Sequence, residues 1–285
     1  MLKRIFGIAP KQEEDGSYSP SRLGLRIGTV SKTNYSEPGY QPYRGKTSRI
    51  LILFTEQKHM KMKNGKRFST GNHPVESLVP MLHLQQAGFT FDIVTPSGKP
   101  VVFEMWAFPN QDTAVKDIYQ QYEEEFEKPH DLRNHIDVFK NHLNEYAAVF
   151  IPGGHGAMLG LPENEQVGNV LHLAFEHNKC ILSICHGPAA LLATTLDDKE
   201  FLFSGYQMAV FPDEVDRQSP IIGYLPGHMP WKLNEALRQY GVEIVNSKSD
   251  ETVCQDRNLI TGASPTAANA FGILAATTLL KTLSS

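Results

Sequence analysis

Three segments of this chain, Arg49-Ile-Leu-Ile-Leu-Phe-Thr55, Tyr146-Ala-Ala-Val-Phe-Ile151 and Cys180-Ile-Leu-Ser-Ile184, are apolar without the polar alternation of a half-exposed strand. A strand of that kind must bury both faces, which happens in parallel sheets covered by helices. Helical stretches alternate with these runs. The stretch 74–87 opens with a proline in its first turn and stops at Gly88. Further helices are expected over 163–177, 188–195, 230–240 and 265–282, and further strands over 89–95, 206–211, 242–245 and 258–261. Strand alternating with helix predicts an α/β fold built on a doubly wound, largely parallel sheet. Residues 56–72 read as a polar loop and 99–105 as a short hairpin arm. Residues 107–143 read as helical and break the alternation, so a small helical cap inserted at about 106–145 is expected in a core domain spanning 47–285. Residues 1–46 are rich in Ser, Pro, Gly and Tyr and show no period. They read as an irregular arm, ordered only along the body or a partner subunit.

Bulk properties narrow the partners. A chain of 285 residues with 41% hydrophobic content can bury a large core. The net charge of -4 offers no electrostatic platform for nucleic acid or an anionic membrane, both of which call for basic clusters. The opening Met-Leu-Lys-Arg-Ile-Phe-Gly-Ile is too short and interrupted for a signal-peptide core, and no apolar stretch approaches the ~20 residues that span a bilayer. Three cysteines in so long a chain argue against a disulfide scaffold and for a reducing, cytoplasmic setting.

Ligands bind such sheets beyond the carboxyl ends of the strands, and three segments bring unusual residues there. In Ser183-Ile-Cys185-His186-Gly187-Pro188 a buried strand gives way to a helix within two residues, the layout of a nucleophile elbow. The turn presents Cys185, and the helix N-terminus favours its thiolate. The neighbouring His186 can pair with the thiolate or shuttle protons. The cluster Asp213-Glu214-Val-Asp216 can supply a carboxylate to orient the imidazole, and the three acids are equivalent at this level. In Ile151-Pro-Gly153-Gly154-His155-Gly156 the consecutive glycines free backbone N–H groups to stabilise an oxyanion, with a plain tight turn as the simpler account. In Ser69-Thr-Gly-Asn-His-Pro-Val-Glu76 the carboxylate either complements a helix dipole or, if buried in the cleft, carries a proton. Neither HExxH nor CxxC occurs, and His135 and His142, seven apart on an expected helix, read as a solvated cap face rather than ligands. No metal and no cofactor are therefore expected.

Together these segments resemble the PfpI-like, class I glutamine amidotransferase-like superfamily, and within it the HchA branch of chaperone, glyoxalase and deglycase proteins. The resemblance runs from about Pro42 to the C-terminus. It rests on Pro42-Tyr-Arg-Gly-Lys46, Phe68-Ser-Thr-Gly-Asn-His-Pro74, Pro152-Gly-Gly-His-Gly156, Cys185-His-Gly-Pro-Ala-Ala190 and Gly223-Tyr-Leu-Pro-Gly227. It implies a flavodoxin-like three-layer sandwich and a homodimer. It implies Cys185 as nucleophile, His186 as its partner, Asp216 as the acid that orients the imidazole and Glu76 as the carboxyl beside the thiol. Gly153, Gly154 and His186 would line the oxyanion and substrate site. The implied activity is a glutathione-independent glyoxalase acting on small 2-oxoaldehydes, converting methylglyoxal to lactate and glyoxal to glycolate. Related deglycation of proteins or nucleotides in carbonyl-stress defence is implied with it. The alternatives are a holdase that binds unfolded proteins and a cysteine aminopeptidase, which the large cap disfavours. One departure stands out: where relatives carry a His/Glu/His metal site, this chain has Gln85, Thr90 and Tyr122, poor ligands for zinc.

Overall fold

The computed structural model describes residues 7–284. At its centre lies a seven-stranded sheet. Its strands in chain order are β1 (Arg49–Leu53), β2 (Thr90–Thr95), β3 (His130–Asp131), β4 (Tyr146–Ile151), β5 (Cys180–Ile184), β6 (Val253–Asp256) and β7 (Leu259–Gly262). Across the sheet they run β6-β7-β5-β4-β1-β2-β3, and every neighbouring pair is parallel except the β6–β7 hairpin. From β1 the chain builds outward through β2 and β3, returns, and builds the other way from β4. The order therefore reverses between β1 and β4, where a crevice opens at the carboxyl ends of the strands.

Among the described residues the α-helices are α1 (Arg22–Gly28), α2 (Pro74–Gln86), α3 (Thr113–Gln121), α4 (Glu123–Glu127), α5 (Leu132–Asn141), α6 (Glu165–Glu176), α7 (Asp213–Gln218), α8 (Leu233–Gln239) and α9 (Ala268–Ser284). Ile50, Ile52, Phe54, Phe150 and Leu182 pack into one core beneath α2 and α9. Leu51, Leu53, Val149, Ile151 and Ile181 pack into the other, beneath α6 and the 3-10 segment Gly187–Asp198. Successive strand residues alternate between two dry layers, which is why these runs are apolar at every position. Among the described residues no helix is long and apolar enough to cross a membrane.

The structure corrects several local expectations. The polar stretch 56–72 holds an antiparallel hairpin, His59–Lys61 against Arg67–Ser69, that joins Lys11–Gln12 and Tyr18–Ser19 in a four-stranded sheet. Only Met60 and Phe68 of its paired residues are buried, with Met62 in the turn between, too few positions to stand out against its lysines. Residues 99–105 form no hairpin; they lie along Asn72 through a single parallel bridge to Phe103. The expected strands at 206–211 and 242–245 shrink to Gln207–Met208 and Glu243–Ile244, paired with each other off the main sheet. Side chains take over where that ladder stops: Ala209 N–H donates to Thr261 Oγ1 and Val210 N–H to Asn246 Oδ1. The helical block 107–143 also contributes β3, an edge strand beside β2. The segment after Cys185 is 3-10 rather than α-helical. The arm is not irregular throughout, because α1 is capped by Ser21, whose Oγ accepts from Gly24 N–H and donates to Ile222 O.

Ile52 lies in the middle of β1 with no exposed surface. We expect Ile52→Ala to lower unfolding free energy by about 2–5 kcal/mol, read from urea denaturation. A loss below about 1 kcal/mol would contradict a two-sided core at β1.

Candidate active site

β5 ends at Ile184, and Cys185 follows with φ of 60°, in the left-handed region. Its N–H donates to Gly262 O (2.7 Å) at the end of β7, and its carbonyl accepts from Phe211 N–H (3.0 Å). The bend is thus held from both flanks and turns the side chain over the carboxyl edge of the sheet. A proline in the first turn of the 3-10 segment, Pro188, makes the change of direction abrupt.

Cys185 Sγ lies 3.3 Å from His186 Nδ1, and His186 Nε2 lies 2.9 Å from Asp216 Oδ2. A carboxylate can only accept, so the ring proton belongs on Nε2 and leaves a lone pair on Nδ1 toward the thiol. The second Asp216 oxygen accepts from His155 Nε2 at 3.0 Å. Behind His155 stands Glu104. Its Oε1 lies 3.8 Å from His155 Nδ1 and accepts from His155 N–H (3.3 Å) and the Thr70 hydroxyl (2.9 Å). The His155 and His186 rings stand 4.2 Å apart, and Phe211 covers His186 at 4.6 Å. All of these polar groups are buried.

Glu76 reaches the same place from the first turn of α2 and is completely buried. Neither of its carboxyl oxygens makes a well-aligned hydrogen bond; the Cys185 thiol and the Gly154 N–H are the groups that face it. A side chain at residue 153 would place its Cβ 2.1 Å from Glu76 Oε2 and 2.8 Å from Cys185 Cβ. Gly153 thus admits the carboxyl to the elbow, and Gly154, with φ of 105°, turns the chain beside it.

Burial and the neighbouring charges compete over the protonation states. It pushes the Glu76 carboxyl well above the usual carboxylate range, against the pull of Cys185 and other donors. It also pushes the Cys185 thiol well up, with Glu76 adding to the effect. Burial lowers His186, and Asp216 only partly offsets that while the charge of His155 adds to it. His155 would also be lowered by burial, but Asp216 and then Glu104 carry it up to about 10. Asp216, which burial alone would raise, is held well below its ordinary value by the two imidazoles. His73 is lowered to about 4 by burial, and both its ring nitrogens lack a partner.

Cys185, His186, Asp216, Glu76, Gly153 and Gly154 therefore converge on one site. Asp213 instead accepts from Asn234 and Glu235 N–H at the start of α8, and Glu214 pairs with Arg217 on the surface. Burial raises all three thiols, so Cys185 is distinguished by its neighbours rather than by acidity. The thiolate expected from the helix N-terminus is outweighed by desolvation. Two members of the cluster were not among the expected site residues. His155 stood in the glycine turn without a role, and Glu104 lay in the segment read as a hairpin. The one local signal for Glu104 is a lone carboxylate within Val101-Val-Phe-Glu-Met-Trp-Ala-Phe108. His135 is not on a solvated face: it is buried beside Asp92 (3.4 Å) and Tyr146 (3.3 Å). His142 is exposed and pairs with Glu145.

The cluster forms the floor of a cavity of about 600 Å³. Exposed Ile27, Val30 and Glu251 mark its mouth, with Thr33 and Ile222 beside them, and Tyr224 lies deeper, near Cys185 and Glu76. No residue of the block 107–143 lines it, so restriction of substrate size comes from the arm and not from the expected cap.

Residues 68–209 match the model of the DJ-1/PfpI family. The chain is 42% identical over 276 residues to the protein/nucleic acid deglycase HchA of Pseudomonas aeruginosa strain UCBPP-PA14, covering 95% of this chain and 94% of the relative. It is 42% identical over 268 residues to HchA of Escherichia coli O1:K1 / APEC, covering 94% and 93%. The crystal structure of glyoxalase III from Candida albicans superposes with a TM-score of 0.62 at 19% identity, covering 81% of this chain and 98% of that one. At that identity it speaks for the fold alone.

The Gly153 geometry can be tested directly. We expect Gly153→Ala to destabilise the protein by about 1–3 kcal/mol and to slow alkylation of Cys185 by iodoacetamide. Unchanged unfolding and labelling would show that the carboxyl can withdraw freely from the elbow.

Proposed function

Because the chain belongs to the DJ-1/PfpI family and to its HchA branch, we propose that it is a carbonyl-detoxifying enzyme, a glutathione-independent glyoxalase and deglycase that works through Cys185. The observation that carries this reading is the contact of a buried thiol with an imidazole oriented by Asp216 on one side and a buried carboxyl on the other. Such a thiol need not be ionised in advance, since it can lose its proton as it attacks. The S–C bond forms at the aldehyde carbon of methylglyoxal, and the carbonyl π pair moves to oxygen. His186 Nδ1 takes the thiol proton and hands it to that oxygen, which becomes the hydroxyl of a hemithioacetal and leaves the imidazole neutral again. Among the described residues no backbone carbonyl accepts from the N–H of Gly154 or His186; the His186 N–H is available to the developing oxyanion, whereas the Gly154 N–H already faces Glu76.

His186, or Glu76 once its carboxyl has given up its own proton, then takes the proton from the thiol-bearing carbon and returns it to the adjacent one through an enediolate, while the hydroxyl proton passes to the neighbouring oxygen, giving the thioester of lactate. Water cleaves the C–S bond, which releases lactate and restores the thiol. A carboxyl raised by burial is suited to this shuttle because it holds an abstracted proton more firmly than an ordinary carboxylate would. Early adducts of such carbonyls on thiols and amines present the same carbon, which extends the chemistry to deglycation of proteins or nucleotides. A cavity of about 600 Å³ floored by the thiol fits a small carbonyl compound or an adduct on a projecting side chain.

A second reading, a holdase function, is favoured by exposed Ile27 and Val30 on the arm and Ile221 beside the cavity mouth. The two separate cleanly, since holdase activity should survive loss of the thiol.

For Cys185→Ser we expect methylglyoxal turnover without glutathione to fall below about a tenth of wild type, and more residual activity would sink the nucleophile assignment. Glu76→Gln keeps the shape but cannot carry the proton. It should lower kcat/KM about 10²-fold or more, measured as lactate formed; a smaller loss would assign the shuttle to His186.

A further inference from the structure

Asp216 is shared by two imidazoles, and the proposed chemistry uses only one of them. We propose that His155 is a positioning residue: fixed between Asp216 and Glu104, it carries the positive charge of the cluster and thereby keeps His186 a neutral imidazole with its free Nδ1 at Cys185. The inference rests on the reading of Cys185 and His186 as nucleophile and base.

Geometry assigns the charge. His155 Nε2 meets Asp216 Oδ1 at 3.0 Å, and its Nδ1 faces Glu104 Oε1 at 3.8 Å. It thus has a carboxylate at each nitrogen. His186 has a carboxylate at one nitrogen only, and at the other a thiol that must give a proton up. With the rings 4.2 Å apart in a buried site, two cations would repel strongly. One proton is favoured, and it belongs on the ring with two carboxylates. The opposite directions in which the two histidines are displaced, His155 up and His186 down, agree with this.

The groups facing His186 are few. They are the Cys185 thiol on its own turn with Glu76 of α2 behind it, Asp216 of α7, and His155 of the glycine turn. Glu104 stands beyond His155, the Tyr224 ring lies 6.2 Å from the His155 ring, and His73, at the start of α2, interacts with both imidazoles. Phe211 closes one ring face and carries no charge. Of these, His155 is the cation that screens Asp216 from His186. Without it the full charge of Asp216, reinforced by Glu104, would favour imidazolium at His186, and an imidazolium cannot accept the thiol proton.

Two measurements test the proposal. The first is histidine ¹⁵N NMR on Cys185→Ser protein, which is independent of turnover. Near neutral pH we expect His155 to be protonated at both nitrogens and His186 to be neutral with its proton on Nε2. A neutral His155 or a cationic His186 would overturn the proposal. The second is the pH dependence of kcat/KM. His155→Gln keeps an amide donor for Asp216 but removes the charge. It should move the acidic limb to higher pH, by about threefold or more in proton concentration, with activity recovering above it. Adding Glu104→Gln to that variant should move the limb part of the way back, because Glu104 then acts on His186 only as an unbalanced negative charge. A uniform loss of activity with an unmoved limb would indicate a merely structural His155. Should His155→Gln fail to fold, the NMR result decides alone. Failure of the Cys185 reading would show instead as turnover retained in Cys185→Ser.

Discussion

A carboxylate removed from water is tolerated only where its lone pairs are answered, since the desolvation cost amounts to several kcal/mol per ion. Asp216 meets that condition by accepting from one imidazole at each oxygen, and much of the surrounding architecture serves to bring the three side chains together. His155 arrives on the turn after β4, His186 on the turn after β5, and Asp216 on α7, which starts just after Phe211 has bonded to the Cys185 carbonyl. The parallel pairing of β4 with β5 sets the two turns side by side. Breaking this junction would leave a buried histidine cation beside Glu104 and the elbow without its orienting partner. The site is therefore as much a structural joint as a chemical one.

What could be read in the sequence is what depends on short-range pattern. The buried strands, the elbow at Cys185, the glycine turn and the carboxylate opening α2 each follow from rules that span a few residues, and a doubly wound sheet brings such segments to one edge. Asp216 could not be separated from Asp213 and Glu214 by pattern, because all three sit within one short helix. Only its packing against two other turns distinguishes it. Glu104 was illegible for the same reason. Its segment is held by the bridge from Phe103 to Asn72 and by Glu104 N–H donating to Asn72 O, contacts that no local periodicity reports.

The cavity mouth gives a second example. Residues 27–34 sit there because α1 is anchored on the loop 219–224, where Ser21 N–H donates to Gly223 O and Ser21 Oγ to Ile222 O, and because Asp112 accepts from Thr33 N–H and its hydroxyl. A stretch with no period of its own thus borrows its conformation from a loop two hundred residues away. Substrate access is in this way set by the part of the chain whose composition says least.

The left-handed backbone at Cys185 has a consequence for how such a protein can change. A non-glycine residue held there carries a standing penalty of roughly 1–3 kcal/mol, sustained by the clamps from Gly262 and Phe211. Glycine would relieve that penalty at this position while abolishing the thiol. The nucleophile thus occupies a place where drift toward a sturdier fold and drift toward inactivity run in the same direction. Selection for robustness alone would erode the site, and its persistence in a lineage would report continued demand for the chemistry.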